Sequence, residues 1–248
     1  ENVNFYFNNG VDYFYDKKNK IFNITQNELI GRSFFLYGKI NDVKINYIGN
    51  QNNFKNKLAK RIDTKNLTGC LNFIKINFNK SILNSNNSTC EDGINIINST
   101  GTLEKIISNN SLYDAIDLDF SDLLVNKVVV NNALNDCIDF SYGKYEIKKS
   151  SLVSCGDKGI SVGEKSSANF GEINLEIAKI GVASKDSSNV QIENSKISSV
   201  ENCFSSYRKK QEFDGGFIKV QKSSCVNYSK NYFFDNNSKI EIIVNEEI

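Results

Sequence analysis

The chain has 248 residues, 40% of them hydrophobic and 24% charged, with a formal net charge of +1. That balance fits a soluble globular protein, gives no broad basic field for nucleic acid or an acidic membrane, and contains no apolar run near the roughly 20 residues of a membrane span. Histidine is absent, which excludes a Ser-His-Asp triad, an HExxH zinc site and an imidazole base, and leaves catalysis to carboxylates, lysines, tyrosines or cysteines.

Residues 1–32, with "NFYFNN" near their start, alternate as strands but fit no repeat; they read as an N-terminal β cap or linker over an exposed strand edge. "SFFLYGKINDVKINYIGN" at 33–50 opens the main body, which runs from 33 to 248. Residues 51–68 are polar and basic and read as a loop leaving it. From 69 onward, short β-branched or aromatic alternations follow one another: "NFIKINF", "KVVV" and, near the end, "KIEIIV". Proline is absent, so Asn, Asp, Gly and Ser must make the turns. Methionine is absent too, at position 1 as elsewhere, which reads as a processed chain or an excised part of a longer one. Abundant Asn, Lys, Ile and Ser read first as the mark of an AT-rich genome.

Stepping by 22 residues from Asp92 gives Asp114, Asp136, Lys158, Ile180 and Asn202. The next column is small (Gly93, Ala115, Cys137, Gly159, Gly181, Cys203) and the one after it apolar (Ile94, Ile116, Ile138, Ile160, Val182, Phe204). The following column is mostly polar (Asn95, Asp117, Asp139, Ser161). A half-buried strand recurring at this interval, with no helix between copies, predicts an all-β solenoid, a parallel β-helix of roughly seven or eight coils. "GCLNF" at 69–73 matches "DCIDF" at 136–140 and adds a coil before Asp92; Cys225, 22 after Cys203, adds one after it.

Six cysteines serve either as small buried thiols in the small-residue column or as bridges. Cys203 and Cys225 share a column by this spacing and form the first bridge to expect if the protein matures outside the cytoplasm; Cys70 with Cys90 and Cys137 with Cys155 lie about one coil apart but out of column.

The segments "YDAIDLD" (113–119), "NDCIDF" (135–140) and "CGDKGISVGEKS" (155–166) resemble strands of the polygalacturonases and the wider pectin-lyase-like superfamily. The resemblance covers about 100 residues, and implies a right-handed helix and an extracellular, cell-surface or periplasmic protein acting on polysaccharide. It implies that Asp114 and Asp136 match two of the family's catalytic aspartates. It also places Asn135 where the family has a proton-donating aspartate, and Lys158 where it has a histidine. "YRKK" at 207–210 is similar to the family's Arg-x-Lys substrate clamp, two coils beyond Lys158. More loosely, the stretch from "CEDGINI" to "YRKKQEF" looks like β-helix segments accompanying CotH-kinase-like domains in bacterial surface proteins.

Stacked carboxylates about 5 Å apart repel by roughly 1 kcal/mol in water and more in a cleft, so Asp92, Asp114, Asp136, Asp117 and Asp139 call for an explanation. Three stand open: turn-capping side chains that bond backbone N–H groups, a polysaccharide-binding or cleaving face, and a Ca²⁺ site. In the second, Asp114, Asp136 and Lys158 are the catalytic candidates, as hydrolase carboxylates or a lyase base. Asp139 is then the nearest second acid. Asp117, Asp139, Arg208, Lys209 and Lys210 are the substrate-binding candidates, the basic run gripping a uronate or sulfate. Two function classes follow: a domain that binds, or binds and cleaves, an acidic polysaccharide, or a non-catalytic structural or adhesion module of a larger bacterial surface protein.

Overall fold

A computed structural model describes residues 2–63 and 67–243. Residues 64–66 of the expected loop, and the last residue of "KIEIIV" with all that follows it, lie outside the described residues. About 70% of the chain is strand and 2% helix.

The elements in order are β1 (Asn4–Phe7), β2 (Val11–Asp16), β3 (Ile21–Gln26), β4 (Ser33–Asn41), β5 (Lys44–Ile48), the short helix α1 (Gln51–Lys55), β6 (Gly69–Ser88), β7 (Asp92–Ile97), β8 (Thr100–Ser111), β9 (Asp114–Asp119), β10 (Asp122–Ala133), β11 (Ile138–Ser141), β12 (Lys144–Cys155), β13 (Lys158–Gly163), β14 (Ser167–Lys185), β15 (Asn189–Tyr207), β16 (Phe217–Phe234) and β17 (Lys239–Ile242). Each turn consists of a short arm, such as β7, and a longer bent strand, such as β8. In β14, β15 and β16 the long strand runs on into the next short arm. Stacked turns pair in parallel: β7 with β9, β9 with β11, β11 with β13, β8 with β10, and β10 with β12. The result is a β-solenoid of about ten turns. It exceeds seven or eight because β3 pairs in parallel with β5, and β17 with β16, so both ends join the stack despite irregular spacing. At the N-terminal side β1 lies antiparallel on β4, and β2 antiparallel on β3.

The apolar column stacks as the spacing predicts. Leu71, Ile94, Ile116, Ile138, Ile160, Val182 and Phe204 are successive partners, and all are buried. Two corners also stack. Tyr37, Lys75, Asn98, Phe120, Tyr142, Glu164 and Asp186 all take positive φ, between 45° and 58°; at the second corner Asn87, Asn110, Asn132, Ser154, Ile177, Ser199 and Asn227 do the same, between 55° and 67°. Asparagine tolerates this left-handed backbone better than most residues. Its amide then serves the stack: Asn132 donates to Asn110 at 3.0 Å and Asn110 to Asn87 at 3.1 Å. A neighbouring ladder runs from Asn131 to Asn109 to Asn86, each step 2.8 Å. Part of the asparagine abundance is therefore structural.

All six cysteines are bridged, which overturns the free-thiol reading: Cys70–Cys90, Cys137–Cys155 and Cys203–Cys225. Cys203 and Cys225 do not share a column. Asn189 faces Phe217 and Cys225 faces Ile197, because the segment 208–216 lengthens this turn beyond the regular period. Each bridge instead joins a short arm to the far side of the same turn, at Cys155 and Cys225 within the long strand and at Cys90 just beyond the end of β6. Loops of this size correspond to roughly 3 kcal/mol each through restriction of the unfolded chain.

Candidate functional site

With Ile94, Ile116 and Ile138 facing inward, strand alternation turns Asp117, Asp119 and Asp139 outward, whereas Asp92, Asp114 and Asp136 stand at or just before the start of each arm, beside the small-residue column. Asp92 and Asp114 are direct partners across β7 and β9, Asp117 and Asp139 across β9 and β11. Asp119 completes the cluster one alternation further along β9.

The first column forms a hydrogen-bonded ladder. Asp114 Oδ1 accepts the Asp136 backbone N–H at 2.7 Å and the Asn135 side-chain amide at 2.7 Å. Asp136 Oδ1 accepts the Lys158 backbone N–H at 2.9 Å. The Lys158 ammonium lies 3.4 Å from both Asp136 oxygens and also pairs with Asp157. Burial works against that ammonium, but Asp136 and Asp157 outweigh it and hold the lysine above its ordinary value. At Asp136 burial wins over the lysine, and the carboxyl is raised. The structure thus brings Asp114, Asp136 and Lys158 together, and does so through carboxylate-to-backbone bonds that tie one turn to the next.

The second group is more deeply perturbed. Asp117 is raised well above the carboxylate range by burial and by Asp92, Asp119 and Asp139. Asp119 is raised by burial even though it accepts from Asn95 at 3.3 Å and is hydrogen-bonded to Asp117. Asp92 is raised well above the range, first by burial and then by Asp114. Asp114 is pushed up to about 7 by burial and by Asp136. Burial and mutual repulsion therefore favour the protonated forms of these carboxyls. Among the described residues, no three acidic, cysteine or histidine side chains are arranged to hold a metal ion.

Cations reach the face from later turns. Lys185 of β14 is buried, and its Nζ lies 3.8 Å from Asp139 Oδ1. Lys210 pairs with Glu164 at 2.5 Å, and Glu164 also accepts from Ser141 Oγ at 2.8 Å; these bonds outweigh burial and hold Glu164 below its ordinary value. The basic run is otherwise anchored through its backbone. The N–H groups of Lys209 and Lys210 donate to Asp186 at 2.7 and 2.8 Å, and that of Arg208 to Asp235 at 2.8 Å. Among the described residues, Lys210 is the one of the three with a side-chain ion pair on this face.

An aromatic ledge borders the short arms. Phe120 and Tyr142, successive residues of the first left-handed corner, stack with ring centroids 4.8 Å apart and planes within 6°. Phe213 meets Tyr142 edge-on at 6.3 Å. Phe120 is 57% and Tyr142 38% exposed. Lys185, Glu164 and these rings were missed in the sequence, although Phe120, Tyr142 and Glu164 follow the same 22-residue step; the signal was there, one column beyond the strand. No family model matches the chain, and neither curated proteins nor solved structures give a match.

Proposed function

We propose that the chain is a glycan-binding β-solenoid module, retaining polysaccharide on the face between the carboxyl cluster and the Phe120–Tyr142 ledge. The observation that carries this reading is the solvent-exposed ring stack beside carboxyls raised by burial. A stacked, rigid aromatic pair offers an apolar platform to a pyranose face. A carboxyl group beside it accepts from sugar hydroxyls, and its protonated form also donates.

Binding is favoured over cleavage. A hydrolase needs a carboxyl free to reach the glycosidic oxygen, whereas Asp114 and Asp136 each commit Oδ1 to the backbone of the next turn. A lyase base must be a neutral amine, and Lys158 is held protonated. The pectin-lyase likeness and an extracellular setting remain part of this proposal; three disulfides fit an oxidising compartment.

The test is retention on a panel of neutral and uronic-acid polysaccharides, followed by affinity electrophoresis and by assay of chain length. Retention without cleavage is expected, with Phe120→Ala and Tyr142→Ala each weakening it at least several-fold. Cleavage lost in Asp136→Asn would replace the binding reading with an enzymatic one. Absence of retention across the panel would leave the structural-module reading standing.

A further inference from the structure

The carboxyl cluster beside the ledge holds more hydrogen-bond acceptors than its surroundings satisfy. Asn95, 1% exposed, aims its amide into the cluster: Nδ2 donates to Asp117 Oδ2 at 3.1 Å and to Asp119 Oδ2 at 3.3 Å. Its Oδ1 is buried and has no partner among the described residues, and neither has Oδ2 of Asp92, which is 2% exposed. Acceptors buried in this way are costly unless a donor reaches them. Positive charge is equally short. Lys158 is taken up by Asp136 and Asp157, and Lys185 by Asp139. Among the described residues, no lysine or arginine forms an ion pair with Asp92, Asp114, Asp117 or Asp119. Asp117, Asp119 and Asp139 are half-buried, so the outer side of the cluster meets solvent. Phe120 follows Asp119 directly in the chain and presents an exposed ring there.

We propose that the glycan retained on this face is an amino-sugar polymer with free ammonium groups, one ammonium seated at Asp117, Asp119 and Asn95 and its ring on Phe120 and Tyr142. This rests on the glycan-binding reading and narrows it. An ammonium carries three donors, no acceptor and a positive charge, so it answers the shortage of donors and the shortage of charge together. It favours the ionised form of the carboxyls around it, and each contact becomes a charge-assisted hydrogen bond. The exposed face of Phe120 attracts the same cation through its ring electrons. A uronate or sulfate instead adds acceptors and negative charge where both are already in excess. An N-acetylated sugar supplies donors without the charge. A metal ion supplies charge, but among the described residues the acids are not arranged to hold one. The acidic polysaccharide expected from the sequence depended on the basic run at 208–210, whose Lys210 is already paired with Glu164.

Calorimetric titration of the full chain tests this, with glucosamine oligomers set against N-acetylated oligomers of equal length. The buffer is mildly acidic, so that the sugar amine carries its proton. The free-amine form should bind roughly ten-fold or more tighter, and added salt should erode that preference. Asp117→Asn and Asp119→Asn keep the side-chain shape and should each lower the preference several-fold. Glu193→Gln, on an exposed position of β15, should leave it intact. Equal binding of the N-acetylated oligomers, or tighter binding of oligogalacturonate, overturns the amino-sugar assignment and leaves glycan binding itself standing. An oligolysine of equal charge that binds as well as the sugar also overturns it, because charge alone then suffices. Binding of none of these ligands overturns the assignment too, and it is retention on the wider polysaccharide panel that then decides the reading beneath it.

Discussion

Asp136 holds the next turn in two ways: its Oδ1 accepts the Lys158 backbone N–H, and both of its oxygens face the Lys158 ammonium. Removing only the cation strands a buried carboxylate. Lys158→Met should therefore cost about 3 kcal/mol at neutral pH, and adding Asp136→Asn should restore most of it, since the double variant removes the buried carboxylate while Asp157 keeps Lys179 at 3.8 Å. Urea denaturation of the two singles and the double gives the coupling; additive effects would show that the pair does not act as a unit. The column itself was legible in the sequence, because four charged residues recur at one interval. Its role was not. Whether a stacked aspartate points at solvent, substrate or a neighbouring N–H depends on angles at the strand start, and these come from how Gly93, Ala115 and Cys137 tuck inward beside it.

The short arms β7 and β9 act together in their response to pH. Asp92, Asp114, Asp117 and Asp119 are all raised, burial being the first cause for each. A raised carboxyl binds its proton more tightly folded than unfolded. Its stabilising contribution is thus fully present below the ordinary value of 3.8 and is lost as pH rises, for Asp114 through about 7. Glu164 and Asp157, held low, work the other way and lose their contribution only as pH falls below the usual carboxylate range. The melting temperature should therefore be highest at mildly acidic pH and fall towards neutrality and beyond. Asp117→Asn, which keeps the shape and removes the titration, should flatten that fall. A melting temperature that climbs steadily between pH 5 and 8 would contradict the burial of these acids. The arms were readable because strand alternation and the period coincide there. The counter-ions were not, because Lys185 lies two turns away and Lys210 arrives on a segment that interrupts the repeat.

In a stacked solenoid each turn contacts only its neighbours, so stability is a sum of local terms and ends open before the middle. The three bridges divide along that axis: Cys70–Cys90 near the first turns, Cys137–Cys155 in the middle, and Cys203–Cys225 holding the last long strand. The sequence suggested a bridge between Cys203 and Cys225 for the wrong geometric reason. A count of 22 residues placed them one above the other, but the longer connection at 208–216 shifts the register, and they meet across one turn instead. That difference changes the expected consequence. A bridge between turns would clamp two rungs together, whereas a bridge within a turn shapes only the rung that carries it. Replacing Cys203 and Cys225 by serine should accordingly raise amide exchange along Phe217–Phe234 and leave β9 to β13 protected. Replacing Cys137 and Cys155 should instead lower global stability by roughly 3 kcal/mol, because the middle cannot open without parting the stack. Hydrogen exchange resolved by peptide, read beside urea denaturation, separates the two. If loss of the terminal bridge deprotects the middle arms as strongly as its own strand, the turns are coupled over longer range than nearest neighbours, and the bridge acts as a clamp between rungs after all.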